Sequence, residues 1–369
     1  MKIKRIMFVA PKISGGGAER VVAVLSSVLA DLGYHVDLVL YERKENEYPI
    51  SEKVNIFLLP KNEKNENRLV YLGKKMLLLR KIIKDNKPDV LIPFLPYQVE
   101  HTYIASRGLQ IPMVVTVRNN PMVDTDSEKQ RKRRDWIAKH VEGVFLQTET
   151  QRDYFQEDVR KKCFVVPNPV SENVLSAEYV CKNKIKRLIA VGRLEEQKNF
   201  SMLLDAFGEI KKQYPELTLD IYGEGSLREK LQQKINELEI VDSVTLCGRT
   251  SDIVSALMEH DLFIMTSNFE GMPNSLMEAM GVGVPCISTK CPTGPSELLG
   301  EDERGLLIQV GDKDALVVAI SHLVENPNEA KKKAAVAKEY IKENLSQKKI
   351  AKLLVNELEK EIDKSGKRV

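Results

Sequence analysis

The stretch Asp261-Leu-Phe-Ile-Met-Thr-Ser-Asn-Phe-Glu-Gly-Met-Pro-Asn-Ser-Leu-Met-Glu-Ala-Met-Gly-Val-Gly-Val-Pro-Cys-Ile-Ser288 decides the fold. Its apolar run at 262–265, bounded by polar residues, predicts a buried strand. A loop over 266–273 follows, then Asn274 as N-cap of a helix over 275–280 that Gly281 and Gly283 end. The next strand begins at 284–287. A helix start of this kind offers backbone N–H groups and the positive end of its dipole to an anion. The carboxylates of Glu270 and Glu278 beside it suit hydroxyl groups. An ordinary strand-loop-helix unit with solvated acids would look the same, so the neighbouring segments must separate the two.

Working outward, a series of alternating strands and helices starts at 187–192 and leads into this stretch. It runs through a helix at 202–212, a strand at 218–222, Gly223-Glu-Gly225, a helix from 227 and a strand at 244–247. Arg193 directly follows the first of these strands, and Lys198 lies five residues on, before Asn199 as a helix cap. Both cations would leave the carboxyl end of a strand, on the same edge as the helix start after 273. Two fixed cations and helix amides form a diphosphate cradle that needs no metal ion; one fixed cation beside a phosphate is worth about 4 kcal/mol at a partly buried surface.

The first half repeats the alternation. Residues 3–10 read as a strand rather than a leader, because the apolar run stops at Pro11-Lys12. The loop Pro11-Lys-Ile-Ser-Gly-Gly-Gly-Ala-Glu-Arg20 precedes a helix with apolar residues at 21, 22, 24, 25, 28, 29 and 32, and a strand at 36–40. The loop is not G-x-G-x-x-G, which excludes the nicotinamide fingerprint. It serves either as a tight turn or as a close backbone approach to a ligand. Further strands are expected at 90–94, 113–117, 143–147 and 163–166. The second of these ends in Arg118-Asn-Asn-Pro121 at the ligand edge. After Val166-Pro-Asn-Pro169 a polar linker runs to 186, and beyond 311 the chain turns helical, with 331–361 long enough to cross back onto the first domain.

Length and charge narrow the function. A chain of 369 residues exceeds one typical core and fits two domains. Apolar runs are strand-length, which predicts no membrane-spanning helix. Five scattered cysteines without C-x-x-C spacing point to a reducing compartment and away from zinc, and five histidines form no ligand pattern. Residues 1–180 carry a net +6 and the remainder −3. Residues 61–87 hold nine Lys/Arg against three acids, threaded with apolar residues at 69–83. That is a basic amphipathic helix, which either lies on anionic lipid or packs on the sheet with a solvated basic face. Lys129-Gln-Arg-Lys-Arg-Arg134 is a second basic run and a second candidate for anionic lipid or phosphate; it lacks the interleaved aromatics of a nucleic-acid surface. Asp124-Thr-Asp126 before it matches a metal-binding D-x-D only formally.

Taken together, Gly15-Gly-Gly-Ala-Glu-Arg20, Val191-Gly-Arg-Leu-Glu-Glu-Gln-Lys-Asn199, Gly223-Glu-Gly225 and Phe269-Glu-Gly-Met-Pro-Asn-Ser-Leu-Met-Glu-Ala279 resemble the retaining glycosyltransferases of family 4, over nearly the whole chain. The resemblance implies an α/β protein of the GT-B fold, two doubly wound Rossmann-like domains facing each other across a cleft. Residues 1–168 would form an acceptor-binding domain and 169–345 a nucleotide-sugar-binding domain, with 346–369 a helix packing back on the first. It implies that Arg193 and Lys198 hold the donor diphosphate, and that Glu270 holds the donor sugar with backbone of Gly271, Met272, Asn274, Ser275 and Leu276. Glu278 would bind ribose hydroxyls, Arg249 would meet the base, and Gly225 would line the site. Gly16 and Gly17 would close over the phosphates. Many members carry a histidine where this chain has Arg118. The histidine's role therefore does not transfer, and Arg118 with Asn119 is expected to contact an acceptor or the sugar.

Arg118-Asn-Asn-Pro121 and Cys291-Pro-Thr-Gly-Pro295 resemble a subgroup that builds bacterial surface polysaccharides. The resemblance implies metal-independent, cofactor-free retaining transfer of a hexose or N-acetylhexosamine from a UDP-sugar to a lipid-linked saccharide. The expected place is the cytoplasmic face of the membrane, held there through residues 68–87, with no nucleic acid involved. An epimerase on the same fold and a non-catalytic nucleotide-sugar-binding partner remain the alternatives.

Overall fold

The computed structural model describes residues 2–61, 67–125 and 127–366. The chain divides into two compact units, Met1–Pro169 with Gln347–Val369, and Val170–Ser346. In the first, β1 (Arg5–Ala10), α1 (Gly17–Asp31), β2 (His35–Leu40) and β3 (Asn55–Leu58) are followed by α2 (Arg68–Asn86), β4 (Val90–Pro93) and α3 (Pro96–Ser106). Then come β5 (Val114–Thr116), α4 (Glu128–Lys139), β6 (Gly143–Leu146), α5 (Glu149–Arg152), α6 (Glu157–Arg160) and β7 (Cys163–Val165). Among the described residues the strands are ordered β3-β2-β1-β4 and β5-β6-β7, all parallel, with a bridge from Leu91 to Met113 joining the two series. Helices α2, α3 and α4 lie side by side over one face, burying Leu79, Ile83, Val99 and Ile137 against Met7, Val9 and Leu91.

The second unit runs α7 (Glu172–Leu175), β8 (Arg187–Val191), α8 (Phe200–Gln213), β9 (Thr218–Tyr222), α9 (Arg228–Glu237), β10 (Val244–Gly248) and α10 (Ile253–Met258). It continues with β11 (Leu262–Met265), α11 (Asn274–Val282), β12 (Cys286–Thr289), α12 (Pro295–Leu299), β13 (Leu306–Ile308), α13 (Lys313–Glu325) and α14 (Pro327–Asn344). Its parallel sheet has the order β10-β9-β8-β11-β12-β13 among the described residues. The chain winds one way from β8 and the other way from β11, so the crevice between their carboxyl ends is the switch point at which such sheets take ligands. The Asp261 carboxylate starts this pair of strands by accepting from the Lys186 and Arg187 amides at 2.9 Å. The last helix, α15 (Gln347–Ser365), returns to the first unit, where it packs on α1 and β6 and buries Ile350, Leu354 and Leu358.

Several expectations need correction. The glycine loop is shorter than its composition suggests, because Gly17-Ala-Glu-Arg20 already forms the first turn of α1, with Gly16 as its N-cap. Pro273, not Asn274, caps α11, so the asparagine is its first helical residue. The helical stretch over 331–361 is divided between α14 and α15, broken where Val170 pairs with Ser346. The 169–186 stretch contains α7. The apolar residues of α2 do not share one buried face: Leu79, Ile82 and Ile83 are buried, while Val70 and Leu77 are exposed on the same stripe as Lys74, Lys81 and Lys84. Among the described residues no helix is long and apolar enough to cross a membrane.

Candidate active site

At the switch point of the second unit, Val191 leads through Gly192 into Arg193 and a short 3-10 turn, Glu196–Lys198. Asn199 then adopts a left-handed backbone (φ 48°) and caps α8 by accepting from the Met202 amide. This turn delivers the Lys198 ammonium 2.5 Å from Glu270 Oε1, with the two side chains only 12% and 9% exposed. Burial makes such a pair depend on its partners: removing one leaves an uncompensated charge that costs about 3–5 kcal/mol. The stem of Lys198 runs directly over Gly192, where a β-carbon would sit 2.8 Å from Lys198 Cε. Only glycine leaves that path open.

The two loops are stitched together by groups that sequence reading did not single out. The Gln197 amide donates to the Phe269 carbonyl at 2.9 Å, and the Asn268 amide N–H donates to the Gln197 carbonyl at 2.8 Å. Asn199 donates to Asn268 Oδ1 at 3.2 Å, and the buried Thr266 hydroxyl donates to the Lys198 carbonyl at 2.9 Å. From the next strand end, the buried Thr293 hydroxyl donates to the carbonyl of Glu270 itself. Burial, with the Glu270 charge acting in the same direction, pushes the Cys291 thiol up to about 12, so it is inert as a nucleophile. A Cys-Pro-Thr-Gly sequence gives no hint of these contacts, since their partners lie on other strands.

The remaining expected residues of this unit lie in the loops that follow its strands and in α11. Arg193 is exposed and donates to Gln197 Oε1 at 3.1 Å. Gly225 lies in the loop after β9, where a β-carbon would meet the Leu194 carbonyl oxygen at 2.3 Å, so glycine is required for that close approach. Arg249 is exposed just past β10. Gly271 and Met272 are buried before α11; Asn274, Ser275 and Leu276 form its first turn, with Leu276 wholly buried. Pro273, as N-cap, gives this helix start no side-chain hydrogen bond. Glu278 sits one turn in and is 5% exposed.

In the first unit Gly16 and Gly17 stand at the start of α1, after β1. Arg118 follows β5 and is 8% exposed, its guanidinium lying over the rings of Phe94 (5.1 Å) and Phe145 (4.9 Å) and donating to Asn168 Oδ1. Its Nε and Nη1 have no hydrogen-bond partner among the described residues. Burial pulls this guanidinium below its ordinary range, and the charge of Asp124 opposes that shift. Asn119 accepts from the Gln151 side chain through its carbonyl. Asp124 is not a metal ligand in waiting: it is buried 3.5 Å from Arg134, which also donates to the Pro121 carbonyl. Asp126 lies outside the described residues. Among those residues no group of acids, histidines and cysteines is arranged to hold a metal ion.

Family profiles decide the class. The profile of Glycosyltransferase Family 4 matches residues 15–174, and that of Glycosyl transferases group 1 matches residues 173–344. The chain belongs to the GT-B glycosyltransferases. This glycosyltransferase is 27% identical over 317 residues to the amylovoran biosynthesis glycosyltransferase AmsD of Erwinia amylovora, covering 84% of the chain and 87% of the relative. It is 25% identical over 349 residues to the Campylobacter jejuni GalNAc-alpha-(1->4)-GalNAc-alpha-(1->3)-diNAcBac-PP-undecaprenol alpha-1,4-N-acetyl-D-galactosaminyltransferase, covering 92% of the chain and 94% of the relative. The crystal structure of Anabaena Alr3699/HepE with UDP-glucose superposes with a TM-score of 0.82 at 18% identity, over 96% of this glycosyltransferase and 99% of that chain, a likeness of fold.

Proposed function

We propose that this glycosyltransferase moves a hexose or N-acetylhexosamine, with retention and without a metal ion, from a UDP-sugar to a lipid-linked saccharide during bacterial surface polysaccharide synthesis. The observation that carries this reading is the buried Lys198–Glu270 pair at the switch point, with Glu270 in the loop that leads into α11. In this role Lys198 exchanges the Glu270 carboxylate for the donor diphosphate, and Arg193 adds a second cation. Glu270, so released, takes hydroxyls of the sugar. Glu278 takes the ribose hydroxyls, and the backbone at Arg249 takes the base. The bond from the anomeric carbon to the diphosphate breaks, the acceptor oxygen enters from the same face, and its proton passes to the departing phosphate oxygen. The protein contributes fixed charge on the leaving group and positioning.

The amylovoran and undecaprenol-linked chemistry of the two relatives supports the pathway and the acceptor class. Arg118 and Asn119 in the first unit are assigned to the acceptor. The exposed stripe Val70, Lys74, Leu77, Lys81 and Lys84 on α2 is assigned to the anionic inner face of the cytoplasmic membrane. A thermal-shift screen of nucleotide sugars, followed by transfer to an undecaprenyl-diphosphate-linked acceptor, tests the reading. A UDP-sugar should raise the melting temperature, and the product should keep the donor's anomeric configuration. Stabilisation by no UDP-sugar, or an inverted product, overturns it.

A further inference from the structure

The chain's single tryptophan, Trp136, is 49% exposed on α4. It shares one helix face with Lys129, Lys132 and Arg133, at spacings of three, four and seven residues. The four, with Glu128, line a shallow groove. The indole is held rather than loose, edge-on to Tyr103 at 5.7 Å and against the His140 ring at 4.1 Å. Helix α4 carries six Lys/Arg against two acids; on the Trp136 face Lys132 reaches Glu128 at 2.8 Å and Arg133 reaches Glu100 at 3.3 Å, while Arg134 and Lys139 pair with acids elsewhere. Next to α4, α3 exposes Ile104, and α3 in turn adjoins α2 with its own exposed Val70 and Leu77.

We infer that the α4 face is a second membrane contact, in which Trp136 anchors in the headgroup region of an anionic bilayer while Lys129, Lys132 and Arg133 meet its phosphates. This deepens, and rests on, the membrane reading of α2. An indole ringed by cations has the composition of a bilayer interface, where tryptophan concentrates and basic side chains gain from anionic lipid. A protein partner fits less well, because interface centres are depleted in lysine. A single-stranded nucleic acid needs a succession of aromatic platforms, and this face has one.

The sole tryptophan makes the test direct. Full-length protein is mixed with phosphatidylcholine vesicles, with and without phosphatidylserine, and binding is read by sedimentation. Phosphatidylserine vesicles should blue-shift the Trp136 emission, and bromine on the lipid chains should quench it. The triple variant Lys129→Gln/Lys132→Gln/Arg133→Gln should bind about a hundredfold more weakly, at roughly fivefold per cation. It should keep wild-type melting and wild-type turnover on a short water-soluble acceptor. Vesicle binding with unshifted, unquenched emission and an unaffected triple variant overturns the α4 assignment and leaves the α2 reading standing. No vesicle binding at low salt removes both. A concentration-dependent dimer abolished by Trp136→Glu would instead assign the face to a second copy of the chain, overturning the inference.

Discussion

The two units keep their largely buried cations in different company. In the second, Lys198 faces a carboxylate 2.5 Å away. In the first, Arg118 lies between Phe94 and Phe145, and the buried Lys75 ammonium lies 4.7 Å from the Tyr41 ring centre and 4.4 Å from that of Tyr71. A carboxylate neutralises a cation, and an incoming phosphate can take its place. An aromatic face stabilises a cation without cancelling its charge and has no mobile counterpart to release. Under the proposed function, the contrast separates a latch, set to trade partners when a diphosphate arrives, from fixed charges built into the packing.

The sharpest way to break that contrast is at the latch. Lys198→Ala or Arg193→Ala should lower turnover about 10²-fold or more, the scale for losing one preorganised electrostatic group. Near-normal turnover in either purified variant would remove the assignment. Lys198→Ala should also destabilise the second unit, and Glu270→Gln in the same chain should restore the melting temperature without restoring turnover, because the stranded charge is gone but the cation is not replaced.

Next in size, Gly192→Ala places a methyl group 2.8 Å from Lys198 Cε and must push the ammonium aside. Turnover should fall about tenfold or more with little change in melting, since misplacing a reacting group by an ångström is costly. Unchanged kinetics would show that Lys198 has no need of that path.

For the aromatic-clad cation the expected signature is the reverse of the latch. Arg118→Met keeps the volume between the rings and removes a buried charge with two unsatisfied donors, so the melting temperature should hold or rise. Turnover on the lipid-linked acceptor should drop about tenfold, the order of losing one hydrogen-bonded charge contact. If turnover is untouched, Arg118 is packing alone.

The smallest effect lies beside Lys75. Burial first, and the Lys75 charge second, hold the folded His101 imidazole at about 4, below its ordinary 6.5. On acidification the unfolded chain therefore takes the proton first. Stability present above about pH 6.5 is lost as pH falls toward 4. His101→Phe should flatten that segment of the melting curve by about 2–4 °C. An equal slope in both proteins would place the imidazole in solvent.

What sequence could show of all this follows from range. The strand, loop and helix over 261–288 were legible because a bounded apolar run and two glycines are local signals, and so were Lys198 and Glu270 as separate residues. Their meeting was not, since it depends on Thr266, Gln197 and Thr293, whose partners come from other strands. The start of α1 was hidden because three glycines look like a loop while Gly16 caps a helix. Strand β3 escaped because Asn-Ile-Phe-Leu lies at a sheet edge, largely exposed. Arg134 read as part of a basic run offered to anionic lipid or phosphate, yet it is fully buried against Asp135 and Pro121. A charge run does not say which of its members turns inward.

The break between α14 and α15 carries one more consequence. Val170 and Ser346 pair, and the Val170 amide donates to the Leu345 carbonyl at 2.8 Å, so the second unit enters and leaves at a single spot. It is an insertion within its host and can be excised as 170–346 with both termini already joined by native hydrogen bonds. The host has no such freedom. A fragment ending at 169 lacks α15 and bares the apolar surface that Ile350, Leu354 and Leu358 cover. Dividing the gene at the obvious midpoint should therefore leave both halves with bare apolar surface, the first lacking α15 and the second carrying it unpaired, whereas 170–346 alone should be well behaved.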